Sequence, residues 1–470
     1  MFKNSRRKFL QSTGLSSLGI ALSGKVNAID AEKPSHSVQS FDGSGKQHFN
    51  MCGFAAPKLD KVRIAFIGTG NRGTGAVNRI KHIEGVEIKA LCDIRREQAE
   101  GAKSKLGPAG SQVDIYTGSE DWKRICERDD IDLIYSCTPW ELHTPIAVYA
   151  MEHDKHIATE IPAAKTIDEC WELVETSERT RKHCVMLENC CYDFFELLTL
   201  NMARQGFFGE IIHGEGAYIH SRTKRILDKT GTTWRLEENM YRDGNLYPTH
   251  GFGPICQLMD INRGDKLDFL VSTSSNDFSY GKGIDELAKS DDFWKTYADK
   301  SYRGNMNTST IRTTRGRTIM IQHDTSSPRV YSRIHLISGT KGSALKYPLP
   351  GKVALGHEGW LPEEEFKKLE DKYQPAIVKK VGEMAKHIGG HGGMDLLMDW
   401  RMIDCLRNGL PMDMDVYDAA TWSALGPLSE WSVEHRSNSV DFPDFTRGSW
   451  ITNQPVDISL AEGGTTGVHK

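Results

Sequence analysis

The chain has 470 residues, a net charge of −4 and ten cysteines. That length suits two or three folded domains, and the interspersed charges leave no basic stripe of the kind that binds nucleic acid. The cysteines show no CxxC spacing, and Cys190 and Cys191 are adjacent, which excludes a disulfide framework; no His/Cys group has metal-ligand spacing, so no metal is expected.

In chain order, Ser5-Arg6-Arg7-Lys8-Phe9-Leu10 comes first, followed by a mildly apolar stretch and the small-residue run Val26-Asn27-Ala28. Residues 1–28 read as a twin-arginine signal peptide, and the apolar stretch is too short to span a bilayer. Cys52 follows no lipobox-like sequence, so no stable membrane anchor is expected. The implied destination is the bacterial periplasm. Residues 29–60 are polar and aperiodic and read as a linker or extended arm.

From residue 61 to 187 strands and helices alternate, which predicts a doubly wound parallel sheet. The predicted strands are 62–67, 86–92, 133–137, 156–159 and 184–187. The first ends in Gly68-Thr69-Gly70-Asn71-Arg72-Gly73, and a helical pattern follows. Gly68 permits a tight turn, Gly70 lets the backbone approach a pyrophosphate, and Gly73 lets the helix pack on the strand. Asp93, at the end of the second strand, is placed to accept hydrogen bonds from an adenosine ribose. It favours NAD over NADP, although Arg95-Arg96 follow it. Ligands of such sheets sit at the carboxyl ends of the strands, which selects Thr138-Pro139-Trp140, Glu160-Ile161-Pro162 and Glu188-Asn189.

Residues 188–470 change character. A helix is predicted over 192–205 and a half-buried strand over 210–221, with Tyr218 and His220 on one face. Residues 306–323 read as a hairpin around Arg315-Gly316. Residues 329–338 read as an alternating strand, with Val330, Ser332, Ile334 and Leu336 on one face and Tyr331, Arg333 and His335 on the other. A helix over 394–408 stops at Gly409 and Pro411. The second domain is therefore α+β with a largely antiparallel open sheet. The loops 224–246 and 277–305 carry no readable motif.

Thr138-Pro139-x-x-x-His143, then Ala147 and Ala150, then Lys155-His156-x-x-x-Glu160-x-Pro162, resembles the Gfo/Idh/MocA oxidoreductase family. The resemblance implies an N-terminal Rossmann domain joined to a C-terminal α+β sheet domain. Dehydrogenases of that family carry Glu-Lys-Pro where this chain has Glu160-Ile161-Pro162, and the missing lysine argues against an ordinary alcohol dehydrogenase. Six further segments resemble one branch, glycoside hydrolase family 109: Gly70 to Gly73, Trp140 to His143, Thr233 to Arg235, Tyr247 to Gly251, Ser327 to Ser332, and His391 to Asp395. The branch implies NAD-dependent α-N-acetylgalactosaminidase activity on a glycan. Carried over by position, it implies cofactor contacts at Asn71, Arg72, Asp93, Trp140, Glu141, Leu142, His143, Glu160, Ile161 and Asn189, besides Gly68 and Gly70. It implies sugar contacts at Tyr218, Arg235, Tyr247, Pro248, Thr249, His250 and Tyr331.

The expected reaction transiently oxidises C3 of the sugar, removes the C2 proton, eliminates at C1–O, adds water and returns the hydride, so that a tightly bound NAD is recycled and anomeric configuration is retained. His250 is the first choice of base, since an imidazole exchanges protons near neutrality. If Pro248 begins a helix, Tyr247 and His250 both sit at its start. Tyr247 or Tyr331 holds or protonates an oxygen, for which a phenol needs a lowered pKa. Arg235 binds hydroxyls or the acetamide carbonyl. His143 packs near the cofactor, and His391 either lines the pocket or belongs to a turn. A periplasmic sugar oxidoreductase with net redox turnover is the alternative, and a non-catalytic sugar-binding module the third reading. By analogy with the family, an exposed sheet face favours a homo-oligomer.

Overall fold

Six strands form the first sheet in a computed structural model of the chain, which describes residues 45–229 and 233–469. The expected signal peptide lies outside the described residues. The strands are β1 (Val62–Ile67), β2 (Val86–Cys92), β3 (Asp114–Tyr116), β4 (Leu133–Ser136), β5 (His156–Thr159) and β6 (Cys184–Met186), in the order β3-β2-β1-β4-β5-β6. All neighbours run parallel. Parallel strands need crossover helices, which cover both faces and explain the apolar runs. In β1, Val62, Ile64, Ala65 and Phe66 are fully buried. The strand order reverses between β1 and β4, which opens a crevice at their carboxyl ends. β3 is too short and polar to show in the sequence pattern.

The second sheet holds β7 (Ile211–Ile219), β8 (Leu267–Ser274), β9 (Asn307–Thr313), β10 (Thr318–Asp324), β11 (Leu336–Gly339), β12 (Gly342–Leu345), β13 (Lys352–Leu355) and β14 (Val440–Asp441). Their order is β13-β12-β11-β7-β10-β9-β8-β14. The β7–β10 pair is parallel and the other neighbours are antiparallel. The predicted hairpin is the β9–β10 pair, turned at Gly316 with φ +84°.

One predicted strand is corrected. Of residues 329–338, Ser332 makes an isolated bridge to Ile219, and a regular strand begins only at Leu336. Ile334 and His335 take φ of +60° and +46°, which breaks the two-residue alternation. The cause lies in Arg333. It turns inward, 3% exposed, and its guanidinium donates to Asp193 at 2.5 Å and Glu196 at 2.6 Å. Tyr331 is thus on a bent connection rather than on the polar face of a strand.

The helix Val416–Glu434 is small and apolar on nearly every side (VYDAATWSALGPL) and is buried accordingly. It packs against helix Ile167–Thr180, β6 and β8, which joins the two sheets in one compact unit. The arm before β1 lies on this body: Met51 and Ala56 are buried, and the Gln47 amide donates to the Tyr417 hydroxyl at 2.8 Å. The unreadable loops 224–246 and 277–305 share a satellite core of Ile226, Leu236, Tyr280, Ile284, Trp294 and Tyr302. Among the described residues no helix is long and apolar enough to cross a membrane.

Candidate active site

The turn after β1 explains the first half of the site. Gly68 has φ +83°, and a Cβ there would lie 2.7 Å from the Cys137 backbone. A Cβ on Gly73 would lie 2.0 Å from the Gly68 carbonyl oxygen, so the helix Asn71–Ile80 rests directly on the turn. A Cβ on Gly70 would meet only the end of Arg95, 3.9 Å away, which leaves this backbone open to a ligand. The helix has no acid in its first turn, so its positive end faces the cavity uncompensated. Asp93 accepts from the Thr69 N–H at 2.9 Å and the Arg95 N–H at 3.0 Å, which fixes its carboxylate at the end of β2.

These groups line a cavity of about 1040 Å³ together with Asn71, Arg72, Trp140, Glu141, Leu142, His143, Glu160 and Ile161. Small-ligand pockets run to roughly 1,000 Å³, so there is room for a dinucleotide. The open glycine turn, the free helix end and the anchored Asp93 fit one. Arg235, Trp234 and Tyr247 form the far wall. His143 lies between the backbone oxygens of Pro162, 2.6 Å from Nδ1, and Thr138, 2.9 Å from Nε2, and the nitrogen that carries the proton donates to one of these loops. Burial pushes its pKa down, which agrees with a packing role.

Behind the phosphate end lies a charge network that sequence reasoning missed. Arg72 donates to Glu160 at 2.5 Å and to Asp395 at 2.8 Å. Asp395 also receives the Asn189 amide at 2.5 Å and His391 Nδ1 at 2.9 Å, and it lies 3.4 Å from Arg79. Burial works to protonate Asp395, but the His391 hydrogen bond, Arg72 and Arg79 outweigh it and hold the carboxyl far below its ordinary range. Asn189, expected to touch cofactor, is buried behind Arg72 and does not line the cavity. Its reach to the site runs through Asp395. His391 belongs to the same network in the turn before the helix Met394–Asn408.

The sugar wall is aromatic. Pro248 caps the helix Thr249–Leu258, so Tyr247 and His250 do sit at its start. This helix can lie on β7 because two glycines meet there: a Cβ on Gly216 would be 2.3 Å from the Gly251 oxygen, and one on Gly251 would be 2.2 Å from the Ala217 nitrogen. The close approach brings His250 to 5.1 Å from both Tyr247 and Tyr218, centroid to centroid. Tyr247 stacks on Trp140 at 5.9 Å, and the Arg235 guanidinium lies 4.3 Å over Trp234 and 5.4 Å over Trp140. Among the described residues no carboxylate pairs with Arg235.

Beneath His250 lies Glu188, fully buried, whose Oε1 accepts from His250 Nδ1 at 2.8 Å. Burial raises the Glu188 pKa, but the imidazole, the Thr249 hydroxyl and the Cys190 N–H together more than reverse this, so the group is a carboxylate. That contact fixes the ring and leaves Nε2 for proton transfer. Glu188, Cys190 and His250 bring three potential metal ligands within 4.8 Å of one another. Burial keeps Cys190 a thiol, however, and Nδ1 is already engaged, so the arrangement is that of a positioned imidazole.

Two expectations change. Burial raises the pKa of Tyr247 and Tyr218, and raises that of Tyr331 to about 12, opposite to the lowering a strong phenolic acid needs. These phenols are neutral hydrogen-bond donors. Tyr331 makes no ring contact with Tyr247 or His250. It stands 5.1 Å from His220, which is 5.6 Å from Tyr218, and its hydroxyl accepts from Arg333 at 3.1 Å. Thr249 is 1% exposed and lines neither wall.

Comparison with known proteins matches two family models in tandem: "Oxidoreductase family, NAD-binding Rossmann fold" over residues 62–188 and "Glycosyl hydrolase 109, C-terminal domain" over residues 192–452. The chain is 47% identical over 419 residues to glycosyl hydrolase family 109 protein 1 of Bacteroides fragilis, covering 85% of this chain and 89% of that one. It is 49% identical over 412 residues to an alpha-N-acetylgalactosaminidase of the same species, covering 85% and 96%. Among solved structures, levoglucosan dehydrogenase in complex with NADH and levoglucosan superposes with a TM-score of 0.63 at 17% identity, over 82% of this chain and all of that one, which shows the shared fold.

Proposed function

The chain belongs to the glycosyl hydrolase 109 family and carries its NAD-binding Rossmann domain, and from that premise we propose that it removes terminal α-linked N-acetylgalactosamine with retention of configuration. The family makes it a glycoside hydrolase; the sugar and the route are our reading. The observation that carries the route is the Glu188–His250 pair, whose imidazole lies 5.1 Å, centroid to centroid, from Tyr247 of the cavity wall.

When bound, NAD supplies a hydride acceptor and donor for transient oxidation at C3 of the sugar, outside the usual two-carboxylate scheme of glycosidases. His250 Nε2 removes the proton at C2, and Glu188 stabilises the imidazolium that results. Tyr247, a neutral phenol in this environment, donates a hydrogen bond to the departing C1 oxygen. Arg235 binds sugar oxygens with a guanidinium that has no protein carboxylate to release first. Trp140 and Tyr247 supply an apolar platform that keeps water from the reacting face. The Ser5–Leu10 segment supports export by the twin-arginine route, which carries folded proteins, so the cofactor is loaded before the protein reaches the periplasm.

Net sugar oxidation is the second reading, favoured by the dehydrogenase fold. It is opposed by Ile161, an apolar residue in the cavity wall where dehydrogenases of the fold carry lysine. Protein purified without added cofactor should release the chromophore from an aryl α-N-acetylgalactosaminide with no net NADH. Accumulating NADH would support the oxidoreductase reading instead.

A further inference from the structure

Just after β7 the chain reads Ser221-Arg222-Thr223-Lys224-Arg225-Ile226-Leu227-Asp228-Lys229, a run with one acid among its cations. The short helix Thr223–Ile226 forms here and is tied down by its backbone. The Arg222 N–H donates to the Thr325 carbonyl at 2.8 Å, and the Ile226 N–H donates to the Arg222 carbonyl at 2.9 Å. Ile226 is buried with Leu236 in the satellite core, which seats this turn beside the helix Trp234–Glu238 that carries Arg235. The arginine side chains are left to face the site. Arg225 lines the main cavity, as Arg235 and Tyr247 do. Arg222 lines a side cavity of about 60 Å³, which shares Trp140, Arg235 and Tyr247 with the main one.

Lys229 pairs with Asp291, but among the described residues Arg222, Lys224, Arg225 and Arg235 have no carboxylate partner. Asp228 also lines the main cavity, so cations still outnumber acids on this wall. Burial pushes the Arg235 pKa down, Tyr247 and Tyr218 act against this, and Arg222 and Arg225 add to it. Like charges gathered in this way repel, and an anion placed among them relieves the repulsion. We propose that Arg222 and Arg225, with Arg235 behind them, form an anion subsite, so that the substrate carries a sulfate ester or a carboxylate on or next to its terminal sugar. The proposal rests on the glycosidase reading and narrows its substrate class to acidic glycans. A guanidinium fork matches the paired oxygens of either group. The cofactor phosphates are a poorer match, since the open Gly70 turn lies on the first sheet while Arg222 and Arg225 both act on Tyr218 of β7. Exposed cations at the mouth also draw an anionic glycan inward.

Calorimetric titration of NAD-loaded His250→Ala enzyme reads binding without turnover. Two pairs of ligands separate the sources of the anion. N-acetylgalactosamine against its O-sulfate esters tests an anion on the sugar itself. The para-carbamoylphenyl against the para-carboxyphenyl α-N-acetylgalactosaminide tests one on the neighbouring group. In at least one pair the charged member should bind at least about tenfold more tightly, the weight of one charge-assisted hydrogen bond. Adding Arg222→Gln or Arg225→Gln should cut that preference at least about threefold, while affinities for the neutral member and for NAD stay within about twofold. Should these variants fail to fold, the same pairs without them decide, and the preference should shrink between about 0.05 and 0.5 M salt. Affinities within about twofold in both pairs, a preference untouched by either substitution, or a loss of NAD affinity would overturn the proposal. Preference for the charged ligand without hydrolysis by the parent enzyme would remove the glycosidase reading and leave the subsite standing. Hydrolysis without that preference would do the reverse.

Discussion

On the β1–β6 side of the cavity, Arg72, Glu160, Asp395 and Asp93 are all held by protein partners. On the opposite wall, Arg235 has no carboxylate partner among the described residues and rests on the rings of Trp234 and Trp140. Both walls are largely buried, yet the charged groups named on the first are paired within the protein and Arg235 on the second is not. A saturated network resists change and holds a cofactor in a constant pose. Unsatisfied groups retain their bonding capacity for a molecule that arrives and leaves. The contrast fits a permanent guest on one wall and a transient one on the other.

Substitutions on the two walls should therefore behave differently. His250→Ala should lower kcat by about 10²–10⁴ in steady-state assays, the usual weight of a general acid–base group, while NAD affinity stays within twofold. Activity close to that of the parent would remove His250 as the base. Asp395→Asn acts on the saturated wall and should cost about 3–5 kcal/mol in denaturant unfolding, because Arg72 and Arg79 lose a buried partner. The Asp395 pKa is depressed in the fold, so its contribution is complete above the ordinary aspartate value of about 3.9 and is lost as pH falls through the lower folded value. The parent should accordingly lose more stability than the variant between about pH 5 and pH 2. Arg235→Ala should raise KM about 10- to 100-fold with little change in unfolding midpoint, since the guanidinium holds no protein carboxylate. A large stability loss there would make Arg235 structural and blur the contrast. Tyr331→Phe should be the mildest, raising KM about threefold, because its hydroxyl is outside contact with His250 and already accepts from Arg333.

The saturated wall was largely legible in the chain. Gly68, Gly70, Gly73 and Asp93 follow one another along one β-α-β unit, and each has a conformational reason for its type. Glu160 and Ile161 follow from the rule that ligands sit at strand ends. What escaped was long-range: Asp395 lies 323 positions from its partner Arg72, and only the packed fold brings them together. The unsaturated wall was legible mainly through resemblance. Tyr247 and His250 were placed at a helix start correctly, but the Gly216–Gly251 contact that carries them to Tyr218 has no local signature. Arg333 shows the opposite failure, for an alternating pattern cannot reveal that a charged side chain turns inward to Asp193 and Glu196 and bends the strand. Glu188 stood at a strand end in plain view, and its role needed the distance to His250.

The most direct measurement is hydrolysis in heavy water, with the released sugar analysed by NMR at C2. The account requires deuterium at C2 in the product of the parent enzyme, with incorporation and turnover falling together in His250→Ala. A sugar released at full rate with its C2 hydrogen untouched would contradict it.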